Sequence, residues 1–172
     1  HRLAPFVDRG SDVDVVLDLM IHDLDVILSI VRSPVETVEA VGVPVVTPTV
    51  DIANARLRFA NGAIANVTAS RVSLKRERKL RIFQHDTYIS LDYGEKQMRV
   101  IRRVAAPGAG APSIEAEEHP TEAGDALAEE IRAFLEAVRT RRAPLVSGRE
   151  GLRAMELAYQ ILEAIETSGP ES

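Results

Sequence analysis

The chain contains no cysteine, so a disulfide framework, a thiolate nucleophile and a zinc–thiolate site are all excluded. It has no uninterrupted apolar run of about 18 residues or more, so no segment reads as a membrane-spanning helix. A basic-then-apolar leader is missing too. The first residue is His1 rather than Met, as expected of an excised or processed piece of something longer. Positive charge is in the minority: 21 Lys+Arg stand against 26 Asp+Glu, a formal net charge of −5, which argues against nucleic acid as a partner. The one basic cluster (Lys75, Arg76, Arg78, Lys79, Arg81) reads as a solvated strand edge, where such side chains discourage unwanted pairing. No glycine-rich G-x-G-x-x-G opens a helix; Gly108-Ala109-Gly110 lacks that register. Internal repeats are absent.

What remains is an ordinary globular composition, 45% hydrophobic and 27% charged over 172 residues, enough for one domain with its own core. Near the start, Ser11-Asp12-Val13-Asp14 reads as a capping-box variant. The helix after it should bury Val15, Val16, Leu19, Ile27 and Ile30. It should stop before Ser33-Pro34, because a residue preceding proline disfavours helix.

From Val35 to about Val104 the period changes to two. Ala53, Ala55, Leu57 and Phe59 alternate with Asn54, Arg56 and Arg58; beyond Asn61-Gly62, Ala63, Ala65, Val67 and Ala69 alternate with Asn66, Thr68 and Ser70. A two-residue loop would set Leu57 opposite Asn66 and mix the faces. A three-residue loop, Ala60-Asn61-Gly62 with a left-handed glycine, sets Phe59, Leu57 and Ala55 opposite Ala63, Ala65 and Val67. Further strands are expected at Lys79–Gln84, Tyr88–Tyr93 and Gln97–Arg103, then a loop over Ala105–Pro112. Two helices should close the chain. One covers Ala123–Arg141 with Leu127, Ile131, Phe134, Leu135 and Val138 in a stripe. The other starts at the capping box Ser147–Glu150 and buries Leu152, Met155, Tyr159, Leu162 and Ile165. Thr167–Ser172 reads as a frayed tail. Hairpins in the middle and helices at the ends indicate an α+β fold: an open, largely antiparallel sheet with helices on one face. The other face needs cover from a second subunit or a companion domain, or stays solvated.

One stretch reads as chemistry. Asp18 and His22 are four residues apart on the first helix, about one turn from each other. A carboxylate so placed can orient an imidazole and raise its basicity for general acid/base work. Asp25 flanks the same ring or takes a structural role, and Asp23 should face solvent. A metal site of Asp18, His22 and Asp25 is disfavoured because one helix rarely completes one. Arg2, Arg9 and Arg71 are candidates for recognising phosphate or carboxylate, each through a planar bidentate fork.

Three segments resemble the C-terminal domain of the Gfo/Idh/MocA oxidoreductases. They are Asp18, His22 and Asp25 in a D-x-x-x-H-x-x-D pattern, Leu57, Phe59 and Gly62 in L-x-F-x-x-G, and the run from Val146-Ser147-Gly148 through Gly151-Leu152-Arg153-Ala154 to Leu157-Ala158. The resemblance implies a dihydrodipicolinate reductase/glucose–fructose oxidoreductase C-terminal-domain-like fold. Residues 1–172 would then be a substrate-binding and oligomerisation domain of a cytoplasmic dehydrogenase. NAD or NADP would be held by an N-terminal Rossmann domain that this chain does not contain, so the isolated chain should be inactive. The resemblance also implies His22 as acid/base assisted by Asp18, a sugar or nucleotide-sugar substrate, and a homo-oligomer through the sheet face. His1–Phe6 and Thr68–Ser73 are similar to a bacterial subgroup resembling UDP-N-acetylglucosamine 3-dehydrogenases, which would place oxidation at a sugar 3-hydroxyl. A non-catalytic dimerisation or ligand-binding module of the same fold is the alternative.

Overall fold

The structure is a computed structural model that describes residues 1–7, 12–104, 113–120 and 124–168. The chain falls into two compact units: Arg2–Arg76 with Leu127–Ser172, and Glu77–Ala126 with His1.

In the first unit, β1 (Arg2–Leu3), β2 (Val35–Val43), β3 (Ile52–Phe59) and β4 (Ile64–Ser70) form a sheet in the order β2-β3-β4-β1. Its pairs are antiparallel except β1 with β4, which is parallel. The β3–β4 hairpin has the expected register, with Leu57 opposite Ala65 and Ala55 opposite Val67. Gly62 sits at φ 83° in its turn, and Phe59 donates its N–H to the Ala63 carbonyl at 2.9 Å. Ala53, Ala55, Leu57, Phe59, Val67 and Ala69 point to one face and are buried.

That face is covered by a π-helical turn (Val16–Met20), the helix α1 (Ile21–Val31) that continues from it, and a later helix, α3 (Gly148–Ser168). The π turn is closed by the Ile21 N–H reaching back five residues to the Val16 carbonyl. This wider turn shifts the helix face by about one position, so the core takes Val15, Val16, Met20, Leu24 and Ile27. Leu19 is only partly buried and Ile30 is exposed, contrary to a constant 3.6-residue period. The helix ends where expected, with Arg32 left-handed at φ 50°.

Helix α3 is capped as its sequence requires. Ser147 Oγ accepts the Arg149 N–H, and Glu150 accepts the Ser147 N–H at 2.9 Å and the Ser147 hydroxyl. Its buried face is Ala154, Leu157, Ala158, Ile161 and Ile165, while Leu152, Met155 and Tyr159 are exposed. The helix packs closely on the sheet where β2 has a glycine: a Cβ on Gly42 would lie 2.9 Å from Ile165 Cδ1 and 2.7 Å from Val50 Cγ1. Helix α2 (Ala126–Thr140) carries the expected stripe. Its Leu127, Ile131, Phe134, Leu135 and Val138 nevertheless remain 52–65% exposed.

The second unit is an antiparallel meander of β5 (Glu77–Gln84), β6 (Thr87–Asp92), β7 (Gln97–Val104) and β8 (Ser113–Pro120). Strand β8 has no counterpart in the sequence reading: every residue in it is exposed, so no alternation announces it. Cross-strand pairs join it to β7, Arg99 to Glu118 at 2.5 Å and Arg102 to Glu117 at 3.3 Å. Lys79, read as part of a solvated basic edge, is held by Glu77 and Asp92 at 3.2 and 3.3 Å. The expected Ser11 cap and the Ala105–Pro112 loop lie outside the described residues.

Candidate functional site

Asp18 lies inside the π turn and His22 is the second residue of α1. Val16, Met20, Leu24 and Ile27 take the buried side of this helix, which leaves Asp18, His22 and Asp25 on its outer side. Asp18 and His22 are exposed and Asp25 is half-buried. Single π turns inside α-helices are frequent at functional sites. Here the turn directs a carboxylate and an imidazole outward together while the apolar side stays in the core. No hydrogen bond joins Asp18 to His22, and Asp25 has no side-chain partner, among the described residues. Catalytic hydrogen bonds generally tighten only when substrate is engaged.

The arginines fall differently. Arg2 grips Asp23 bidentately, Nε to Oδ2 at 3.1 Å and Nη2 to Oδ1 at 2.8 Å. Asp23 is therefore a partly buried partner rather than a solvated acid, and the Arg2 fork is taken by a neighbour of His22. Arg71, at the end of β4, is 5% exposed. Its Nη2 donates to the Val13 and Val50 carbonyls and its Nε lies 3.5 Å from Asp51 Oδ1. Both guanidinium groups thus serve internal contacts. Arg9 lies outside the described residues.

Asp51 is the residue the sequence reading missed. It is fully buried at the head of β3. Its Oδ2 accepts the N–H groups of Val45, Val46 and Thr47 at 2.7, 2.7 and 2.9 Å, and its Oδ1 accepts the Thr47 hydroxyl at 2.8 Å. Burial alone would raise its pKa; the hydrogen bonds from Thr47, Val45 and Val46 outweigh that and hold the carboxyl well below the usual range. The available signal was an acid heading an apolar alternation directly after Thr47-Pro48-Thr49-Val50. Asp14, read as half of a capping box, instead accepts the Val50 N–H at 2.8 Å.

Two other histidines pair with carboxylates in the meander, His85 with Asp86 at 2.9 Å and His119 with Glu117 at 3.2 Å. No group of three His, Asp or Glu side chains converges as a metal site would require among the described residues. None of the described helices is long and apolar enough to cross a membrane.

This architecture belongs to a known class. The chain is a member of the GFO/IDH/MocA C-terminal domain family, which matches residues 3–89. It is 40% identical over 166 residues to a UDP-N-acetylglucosamine 3-dehydrogenase of Acidithiobacillus ferrooxidans, covering 96% of this chain and 53% of that protein. The solved structure of that organism's enzyme GnnA superimposes with a TM-score of 0.88. A levoglucosan dehydrogenase in complex with NADH and levoglucosan shares the fold at a TM-score of 0.75 and 18% identity, over 99% of this chain and 58% of that one. The chain therefore spans about half the length of the relatives it matches.

Proposed function

We propose that this chain is the substrate-binding and oligomerisation domain of a cytoplasmic NAD(P)-dependent dehydrogenase that oxidises a sugar hydroxyl. The favoured substrate is a nucleotide sugar oxidised at its 3-position. The 40% identity to a UDP-N-acetylglucosamine 3-dehydrogenase across nearly the whole chain is the observation that carries this reading. The outward Asp18–His22 pair supplies its chemistry.

Two of the described helix N-termini, those of α3 and of the helix carrying His22, do not fit a dinucleotide. The N-terminus of α3 is filled by its own Glu150 and Ser147, and the helix carrying His22 starts on contacts to Val50. A carboxylate already sits at each, Glu150 at α3 and Asp14 at the first helix, where a pyrophosphate would need open N–H groups. NAD or NADP therefore belongs, in this reading, to an N-terminal Rossmann domain preceding the chain.

Within the chain, His22 takes the proton of the sugar hydroxyl, and Asp18 one turn earlier steadies the ring as it becomes charged. Asp25 and Arg9 meet the substrate in this reading, Arg9 at its anionic part. Arg2 and Arg71, which were candidates for the same task, act through the contacts described above. Oligomerisation uses the sheet face opposite α1 and α3. There Asn54 meets Thr68 and Arg56 meets Asn66 in a polar ladder at 3.1 and 3.2 Å.

In the full-length protein, His22→Ala should lower turnover of a nucleotide sugar by about 10²-fold or more while leaving the circular dichroism spectrum unchanged. Wild-type rates in that variant would remove His22 from the mechanism and favour a binding module without catalysis.

A further inference from the structure

We propose that Asp51 and Arg71 are positioning residues for His22, fixing the start of its helix through a buried polar knot; this rests on the acid/base role assigned to His22 above. Among the described residues, no side-chain capping hydrogen bond is made at Val15, at the start of the helix. Three consecutive residues are instead tied to a neighbouring segment. The Val13 carbonyl accepts from Arg71, the Asp14 carboxylate accepts the Val50 N–H at 2.8 Å, and the Val15 N–H donates to the Val50 carbonyl at 2.9 Å. Val50 is held in turn by Arg71, whose Nη2 lies 3.4 Å from its carbonyl, and by continuity with Asp51.

Asp51 anchors the assembly. Its carboxylate closes the loop 45–47 on one side and faces the Arg71 guanidinium on the other, and the Arg71 N–H returns to the Asp51 carbonyl at 3.0 Å. An apolar replacement for a buried ion pair can supply comparable stability, but it cannot set the direction of three carbonyl and amide groups at once. Between this knot and His22 lies only the π turn. A shift at Val13–Val15 therefore passes directly to Asp18 and His22.

The test uses Arg71→Lys in the full-length protein, since lysine keeps the charge but has no fork to span Val13, Val50 and Asp51 together. A small misplacement of a catalytic group is costly, so kcat should fall by about 10-fold while KM stays within about 2-fold. Added to His22→Ala, Arg71→Lys should lower turnover no further. In this chain labelled at histidine, the His22 ring resonance should move in Arg71→Lys while those of His85 and His119 do not. Asp14→Ala, which cuts the tie to Val50, should repeat the kcat loss and keeps the test open if Arg71→Lys does not fold. An unchanged kcat with only a lower melting temperature, a raised KM at constant kcat, or losses that multiply with His22→Ala would each overturn the proposal. Wild-type turnover in His22→Ala alone would instead sink the catalytic reading on which it stands.

Discussion

Asp51→Asn keeps the volume of the side chain and removes its charge, so its cost reports what the buried carboxylate holds. Three backbone N–H groups and one hydroxyl converge on it, with a guanidinium beside it, and both the carboxylate and the guanidinium are buried. The amide of asparagine has one acceptor oxygen, and its NH₂ would face donors. The Arg71 charge is then left buried without its counter-ion. Breaking one partner out of a buried pair costs about 3–5 kcal/mol, a large part of the roughly 5–15 kcal/mol that a typical domain holds in total. At about 2–4 °C per kcal/mol for a chain of this length, the melting temperature should drop by roughly 6–20 °C.

Urea titration at pH 7 measures the difference. A variant within about 1 kcal/mol of wild type would refute the argument, since that is the range of an ordinary surface pair. Arg71→Met in the Asp51→Asn background should recover part of the loss, because it removes the charge left stranded; additive losses would show that the two side chains do not act together. Acid adds a sign. The folded-state pKa of Asp51 is depressed below its ordinary 3.8, so the stability it contributes is present above that value. It is lost progressively as pH falls below it toward the depressed one. Asp51→Asn should therefore lose less stability than wild type between pH 5 and the acid limit, whereas parallel curves would contradict this.

The remaining expectations are local. Gly62 sits at φ 83°, and a Cβ placed there would meet nothing within 4 Å, so Gly62→Ala should cost only backbone strain, about 1 kcal/mol, and Gly62→Asn less; equal urea midpoints for all three would show the turn does not need a left-handed residue. Light scattering of the chain should report a dimer or larger if the open sheet face is covered by another copy, and a clean monomer at high concentration would count against that face.

The β3–β4 hairpin was legible because a period of two leaves only one loop length that keeps Leu57, Ala55 and Val67 on the same side. The Ser147–Glu150 cap was legible because its partners lie three residues apart in sequence. The faces of the helices were less so. The π turn in the first helix moved Leu19 and Ile30 away from the core, a shift no apolar pattern encodes. In α3 two apolar stripes compete, and side-chain size favoured Leu152, Met155 and Tyr159. The stripe that is buried instead is Ala154, Leu157, Ala158, Ile161 and Ile165. Strand β8 lacks any buried face and is defined by its charge pairs to β7.

By itself the sequence determined the α+β class, the hairpin register, the α3 cap and the acid–histidine spacing, because each depends on residues close together along the chain. Tertiary structure decided which helix faces are buried, that Arg2 and Arg71 turn inward, and that Asp51 exists as an anchor at all. Those outcomes depend on groups brought together from Val13, Val50 and Arg71, far apart in sequence. The energies of their meeting arise only once water has been excluded.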